Sequence, residues 1–229
     1  MEGAGRGWRF AGGARILVLI LSTTIVRAQG PGSAPITGGP DACTARNSFT
    51  IVGSATFANG TIKGDAFDRH LVLTGIRYNR MVMKSDVLAL SYAAELLPAA
   101  WLFQPVFGDD HQSVQRSVPP LTHTETTFAA GANPIGAELM FRPHRALQPL
   151  VGTNEGFLYF SRNVPSVFAA RFNFALGVRL GLRVRLDRGR ALSVEYIYHH
   201  FSNAYRAVEN AGVDSQMVSF GYQFTVRGS

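Results

Sequence analysis

Three side chains near the C-terminal end have types and spacing suited to ester hydrolysis: His200, Ser202 and Asp214. A hydroxyl nucleophile needs an imidazole to take its proton and a carboxylate to orient that imidazole. His200 and Ser202 are two apart in the segment 190–202, RALSVEYIYHHFS. Side chains alternate faces along an extended chain, so these two share one. Leu192, Val194 and Tyr196 lie on that same face, whereas His199 has the opposite parity and reads as structural. Asp214 opens the next extended segment in the parity of Val218 and Phe220. A hairpin centred near residue 208 sets 202 opposite 214 and 200 opposite 216, bringing the carboxylate beside the pair. Asn203 adds an amide donor able to hold a developing oxyanion. A plainer reading stays open, in which polar groups at strand ends meet water and Tyr196 and Tyr198 form part of an aromatic girdle. No His/Cys/Asp cluster has metal-ligand spacing, so neither a metal nor another cofactor is expected.

The elements that must position these groups are strands. Even positions from Phe172 to Leu186 are all Phe, Leu or Val, and the odd ones are Asn, Ala, Gly or Arg. That is period two with one apolar face. Residues 218–226 repeat it, Val218, Phe220, Tyr222, Phe224 and Val226 alternating with Ser219, Gly221, Gln223 and Thr225. Eight strands are expected, at about 48–58, 69–80, 86–97, 131–142, 147–160, 171–187, 190–202 and 214–226. The links 81–85, 143–146 and 187–189 are short, and 59–68, 98–130, 161–170 and 203–213 are long. An even strand count with alternating short and long links fits an all-β, eight-stranded antiparallel transmembrane barrel. A soluble lipid-binding barrel of the same strand number is the alternative, but its outer face meets water. Such a barrel has a lumen that side chains fill. Arg179, Arg183 and Arg185 point into it, and Glu95, Glu138 and Glu195 lie on inward faces where they can pair with them. Loop 98–130, with Trp101, His111 and His123, has no readable period, and its histidines are taken as surface residues.

The 229 residues are 46% hydrophobic and 16% charged, well under the usual charged content of about 25%. Arg6, Arg9 and Arg15 precede the apolar run Ile16–Val26, and Val26-Arg27-Ala28 ends it. This is the layout of a secretory signal peptide over 1–28, followed by a Gly/Pro-rich leader over 29–47 and the barrel over 48–229. Setting that segment aside leaves 18 basic and 14 acidic residues, a net +4 that does not suggest a nucleic-acid partner. The single cysteine, Cys43, excludes an internal disulfide and is given no role.

The string His200-Phe201-Ser202-Asn203-Ala204, with Gly212-Val213-Asp214-Ser215 after it, resembles the PagL-type lipid A 3-O-deacylases, also called acyloxyacyl hydrolases. Arg77-Tyr78, Ala94-Glu95-Leu96-Leu97-Pro98 and Arg171-Phe172-Asn173-Phe174 are similar to other recurring segments of that family. The resemblance spans about 69–224 and is most specific over 195–224. It implies an outer-membrane barrel, acting as a monomer, that removes the 3-O-linked acyl chain of lipopolysaccharide. Ser202 is then the nucleophile, His200 the base, Asp214 the acid and Asn203 the oxyanion contributor. Two positions depart from the family pattern. Asp214 stands where the family carries Glu, one methylene longer, and five residues follow Phe224 where a terminal aromatic is common. A non-catalytic outer-membrane barrel with a structural or adhesive role is the alternative function. Strand one of such a barrel runs outward, so strand seven delivers His200 and Ser202 to the extracellular rim, facing lipid.

Overall fold

Alternation carried through residues 170–185 makes a strand with two unlike faces, and the computed structural model gives those faces opposite surroundings. Leu180 is 50% exposed, whereas its neighbour Arg179 is 0% exposed. The structure describes residues 46–60, 62–107, 121–186 and 189–225. Eight strands run in chain order: β1 (Asn47–Asn59), β2 (His70–Lys84), β3 (Leu88–Phe107), β4 (Leu121–Phe141), β5 (Leu147–Val164), β6 (Ala170–Arg185), β7 (Arg190–Ser202) and β8 (Val213–Thr225). Each pairs antiparallel with its neighbours, and β1 pairs with β8 to close the barrel. Closure leaves no unpaired strand edge, the condition for backbone to lie in hydrocarbon. Exposed Ile51, Ile76, Leu96, Phe128, Val178 and Phe220 make the outer wall apolar. The expected signal peptide (1–28) and nearly all of the leader (29–47) lie outside the described residues, as does His111.

The long loop expected over 98–130 is mostly strand. β3 continues to Phe107 and β4 starts at Leu121, with Trp101 inside β3, its ring 6.4 Å from that of Phe128, and His123 inside β4. Bulges hid these stretches from a period-two reading. A register shift between Leu97 and Ala100 moves the buried positions of β3 from odd to even numbers. A second shift, between Ala132 and Ile135, does the same in β4. An extra residue reverses parity downstream, and a bulge is where a strand tolerates proline, here Pro98 and Pro134. The β5–β6 link contracts to residues 165–169, because β5 runs four residues further than expected.

The lumen is filled by charge as well as by apolar side chains. Arg77 Nη1 contacts Glu195 at 2.9 Å, and its Nη2 lies 3.4 Å from Glu95. Arg179 reaches Glu195 at 2.9 Å and Glu138 at 3.5 Å, and Arg183 reaches Glu138 at 2.7 Å. Three cations and three anions thus neutralise one another out of water. Arg77, from β2, is the member that alternation in β6 did not indicate. A Cβ at Gly152 would fall 2.5 Å from Arg179 Nη2, so glycine makes the room for that guanidinium. Above this layer Phe160, Val164, Phe201, Val213 and Met217 form an apolar core.

Removing one buried partner strands charge on the others, a loss of about 3–5 kcal/mol. Arg179→Met should therefore lower the urea midpoint of unfolding from lipid vesicles, followed by tryptophan fluorescence. An unchanged midpoint would show that the cluster adds nothing to the closed barrel.

Candidate active site

The site is built where β7 ends and β8 begins. Phe201 pairs with Val213, His200 with Asp214 and Tyr198 with Gln216, so the hairpin turns about position 207. The expected register, with 202 opposite 214, is corrected by two residues. Val213 belongs to the strand, opposite Phe201 and packed inward with it. Parity is unchanged, and His200, Ser202 and Asp214 share the outward side. His200 Nδ1 lies 2.7 Å from Asp214 Oδ1, and His200 Nε2 lies 3.3 Å from Ser202 Oγ. His200 and Asp214 stand directly opposite each other, so the aspartate reaches the imidazole with its shorter side chain.

Asp214 is 0% exposed despite its outward parity. The β1–β2 loop covers it. Lys63 N–H donates to Asp214 Oδ2 at 2.8 Å, and Gly60 N–H donates to the Asp214 carbonyl at 3.1 Å. Ala66 N–H donates to the Gly212 carbonyl at 3.1 Å. These approaches need glycine. A Cβ at Gly64 would stand 2.5 Å from Gly212 O, and one at Gly212 would stand 2.5 Å from His200 Cε1. Arg69, at the far end of the loop, is buried and donates to Phe67 O at 2.6 Å and Pro165 O at 3.3 Å. Burial draws its guanidinium down to about 10, opposed by Asp68 and Glu209, so it stays charged at neutral pH.

Asn203 is turned into the β7–β8 loop. Its Nδ2 donates to Glu209 O at 2.5 Å, and its Oδ1 accepts from Arg206 N–H at 3.2 Å. Arg206 N–H also reaches Asn203 O at 3.2 Å, closing a tight turn. The two central residues, Ala204 (φ 52°) and Tyr205 (φ 61°), are both left-handed. Without glycine such residues cost about 1–2 kcal/mol each. The asparagine bonds and a Glu209 N–H to Phe168 O contact at 3.1 Å hold the turn in place. Beside it, the Arg206 guanidinium lies over Phe172 and Phe174, 5.8 and 5.7 Å from their ring centroids. His199 faces the lumen and is buried, as its parity implied.

The structure therefore gathers Ser202, His200 and Asp214 into one hydrogen-bonded series, with Asn203 alongside in the turn. Sequence reasoning missed Gly60, Lys63, Gly64 and the part played by Gly212. In Gly60-Thr61-Ile62-Lys63-Gly64 nothing but a loop composition was readable.

The protein family described as lipid A 3-O-deacylase (PagL) matches residues 83–223. The chain belongs to the lipid A 3-O-deacylase (PagL) family. No curated protein matches it. Among solved structures it is similar to the outer membrane enzyme PagL, with 14% identity and a TM-score of 0.52, over 77% of this chain and 99% of that one. It is also similar to Neisserial surface protein A (12% identity, TM-score 0.41, 78% and 97% covered). A third is the attachment invasion locus protein Ail of Yersinia pestis (15% identity, TM-score 0.36, 78% and 98% covered). At 14% identity the likeness to PagL speaks to the barrel fold, and membership of the deacylase family rests on the sequence match.

The close seat of the imidazole yields a test. A methyl group at position 212 must push His200 off Ser202, and a displacement of about 1 Å lowers turnover on the order of 100-fold. Gly212→Ala should show that loss in deacylation of lipopolysaccharide while its heat-dependent gel mobility stays that of the folded barrel. Undiminished turnover would mean the imidazole position does not govern the reaction.

Proposed function

We propose that this chain is a serine esterase that hydrolyses the 3-O-linked acyl chain of lipid A, with Ser202 as nucleophile, His200 as base and Asp214 as orienting acid. The observation that carries this reading is the Asp214–His200–Ser202 series, at 2.7 and 3.3 Å, on the outer wall of a deacylase-family barrel. An outer-membrane barrel with an apolar wall meets its lipid by lateral diffusion. A site on that wall at the extracellular rim faces the leaflet that holds lipopolysaccharide, while the filled lumen offers a substrate no entry. One chain supplies all three groups, so a monomer suffices.

In the first step Ser202 Oγ attacks the ester carbonyl carbon as His200 Nε2 takes its proton. Asp214, fixed by Lys63 N–H, holds Nδ1 protonated and stabilises the imidazolium. Asn203 serves the oxyanion. Its amide nitrogen carries two hydrogens, and the Glu209 carbonyl takes one. The tetrahedral adduct collapses, the C–O bond to the sugar breaks, and His200 returns the proton to the leaving alkoxide. Water then attacks the acyl-Ser202 ester with His200 again as base, releasing a fatty acid and the free serine. The 3.3 Å Ser–His distance suits a resting site, since such contacts tighten around substrate.

Purified protein in detergent, incubated with lipopolysaccharide, should remove one hydroxyacyl chain by mass spectrometry. Ser202→Ala and His200→Asn should abolish that loss. Asp214→Ala should retain more activity than Ser202→Ala, since the acid is the least costly member of a triad to remove. Asp214→Glu should fall below wild type, because the loop backbone at Gly60 and Lys63 closes on this side chain, a Cβ at Gly60 would stand 3.0 Å from Asp214 Cβ, and an added methylene has to shift the carboxylate off His200 Nδ1. No mass change with wild type would leave a non-catalytic barrel; full activity in Ser202→Ala would remove the serine assignment.

A further inference from the structure

The end of the barrel opposite Ser202 carries an excess of positive charge that ester hydrolysis does not use. Short turns at residues 85–87, 142–146 and 186–189 join β2 to β3, β4 to β5 and β6 to β7 there. Short turns mark the periplasmic side of such a barrel. Among the described residues this end has Arg46, Lys84, Arg142, Arg145, Arg185 and Arg190 against one acid, Asp86. All six cations except the half-buried Arg185 are exposed. At the other end, Lys63, Arg69, Arg162, Arg171 and Arg206 are equalled in number by Asp65, Asp68, Glu125, Glu209 and Asp214 among the described residues. A cationic rim beside a membrane-spanning wall attracts anionic headgroups.

These cations stand where the apolar wall stops. Phe141, Leu147 and Leu186 carry the outward face of β4, β5 and β6 to the turns, and the two leucines are about half exposed. On the other half of the ring, Phe49 lies 5.3 Å from Tyr78 and 6.1 Å from Phe224 by ring centroids, all three with outward parity. Such an aromatic girdle sits at headgroup level. Between the β2–β3 and β4–β5 turns lies a cleft of about 590 Å³ lined by Asp86, Val87, Arg142, His144, Arg145 and Leu147. Small-molecule sites span roughly 300–1,000 Å³, so a headgroup fits. Main chain and a buried amide fix its frame. Arg142 N–H donates to Val87 O at 2.8 Å and joins the two turns. Gln148 Nε2 donates to Pro143 O at 2.9 Å and to Arg145 O at 3.0 Å. Asp86 faces His144, whose Nε2 lies 3.7 Å from its carboxylate. The cleft thus combines two guanidinium groups with two exposed apolar side chains, Val87 and Leu147.

We propose that this cleft binds the headgroup of an anionic phospholipid of the periplasmic leaflet, its phosphate on Arg142 and Arg145 and its acyl chains rising along the wall from Leu147. Guanidinium groups pair with phosphate oxygens through two parallel hydrogen bonds, which a flexible ammonium does not reproduce. The apolar side chains choose a lipid over a soluble phosphate, which would gain nothing from covering them. The cations choose among lipids. An ethanolamine headgroup would bring its ammonium among the arginines, whereas a glycerol headgroup adds no positive charge. Phosphatidylglycerol is therefore the lipid that fits. The site does not depend on the ester chemistry at the opposite rim.

The test is native mass spectrometry of the purified barrel in detergent, with equimolar phosphatidylglycerol and phosphatidylethanolamine of the same acyl chains. Wild type should retain the first over the second by on the order of tenfold, the scale expected of two cations at an anionic headgroup. In Arg142→Gln/Arg145→Gln the ratio should fall to about one, with the heat-dependent gel mobility of the folded barrel retained. Arg142 has a left-handed backbone (φ 54°), so Arg145→Gln alone serves as a second variant and should lower the ratio part of the way. Arg162→Gln, which removes a cation from the opposite rim, should keep the wild-type ratio. No preference in wild type, or an undiminished one in both cleft variants, overturns the proposal. An equal fall in Arg162→Gln also overturns it, because net charge and not the cleft would then set the preference. Glycerophosphoglycerol, the same headgroup without chains, should displace the lipid only in large excess. Displacement at equal concentration would make the ligand a soluble phosphate and overturn the lipid assignment.

Discussion

Backbone in hydrocarbon has no water to bond, so every strand edge must be paired, and the pairing of β1 with β8 from Ser48–Thr225 to Asn59–Ser215 completes that condition here. Once the ring is closed a side chain has two destinations, lumen or lipid, and parity chooses between them. The alternation of Arg with Leu or Val in β6 and the shared face of His200, Ser202 and Asp214 follow from the same rule. Where a bulge changes parity, in β3 and β4, the chain inserts a residue and the rule resumes with the faces exchanged.

The lumen then has to be filled without leaving charge alone. Arg77, Arg179 and Arg183 meet Glu95, Glu138 and Glu195 from β2, β3, β4, β6 and β7, so the cluster ties opposite walls together. Glu195 lies five residues before His200 on β7, which anchors the strand carrying the imidazole. A filled interior has no room for a lipid substrate. A lipid therefore meets this barrel on its outside, and that is where the polar series lies.

Polar groups on an outward face at the rim need protection from both water and headgroups. The β1–β2 loop supplies it with main chain alone: Lys63 N–H bonds the carboxylate, and glycines at 60, 64 and 212 let backbones approach within contact of Asp214 and His200. Arg69 and the Asn203 turn tie this loop and the β7–β8 loop to the β5–β6 link. The left-handed Ala204 and Tyr205 lie immediately after Asn203, so strain is stored where the turn must keep a fixed shape beside the serine.

Period-two alternation made all eight strands legible in the sequence, and with them the closed barrel, because an even number of such strands joined by alternating short and long links fits that architecture. The pairing of Ser202 with His200 was legible for the same reason, since two residues apart on a strand is a fixed geometry. Alternation could not carry across Pro98 and Pro134, because a bulge erases parity, and so the upper halves of β3 and β4 read as loop. Nor could it set the β7–β8 register, which depends on Val213 packing against Phe201 from the neighbouring strand. The burial of Asp214 arises from a loop about 150 residues earlier in the chain and bonded to it across that separation, and the demand for glycine at 212 arises from the His200 ring on the neighbouring strand. Local pattern determines the faces of strands; contacts between segments remote in sequence decide which residues on those faces touch.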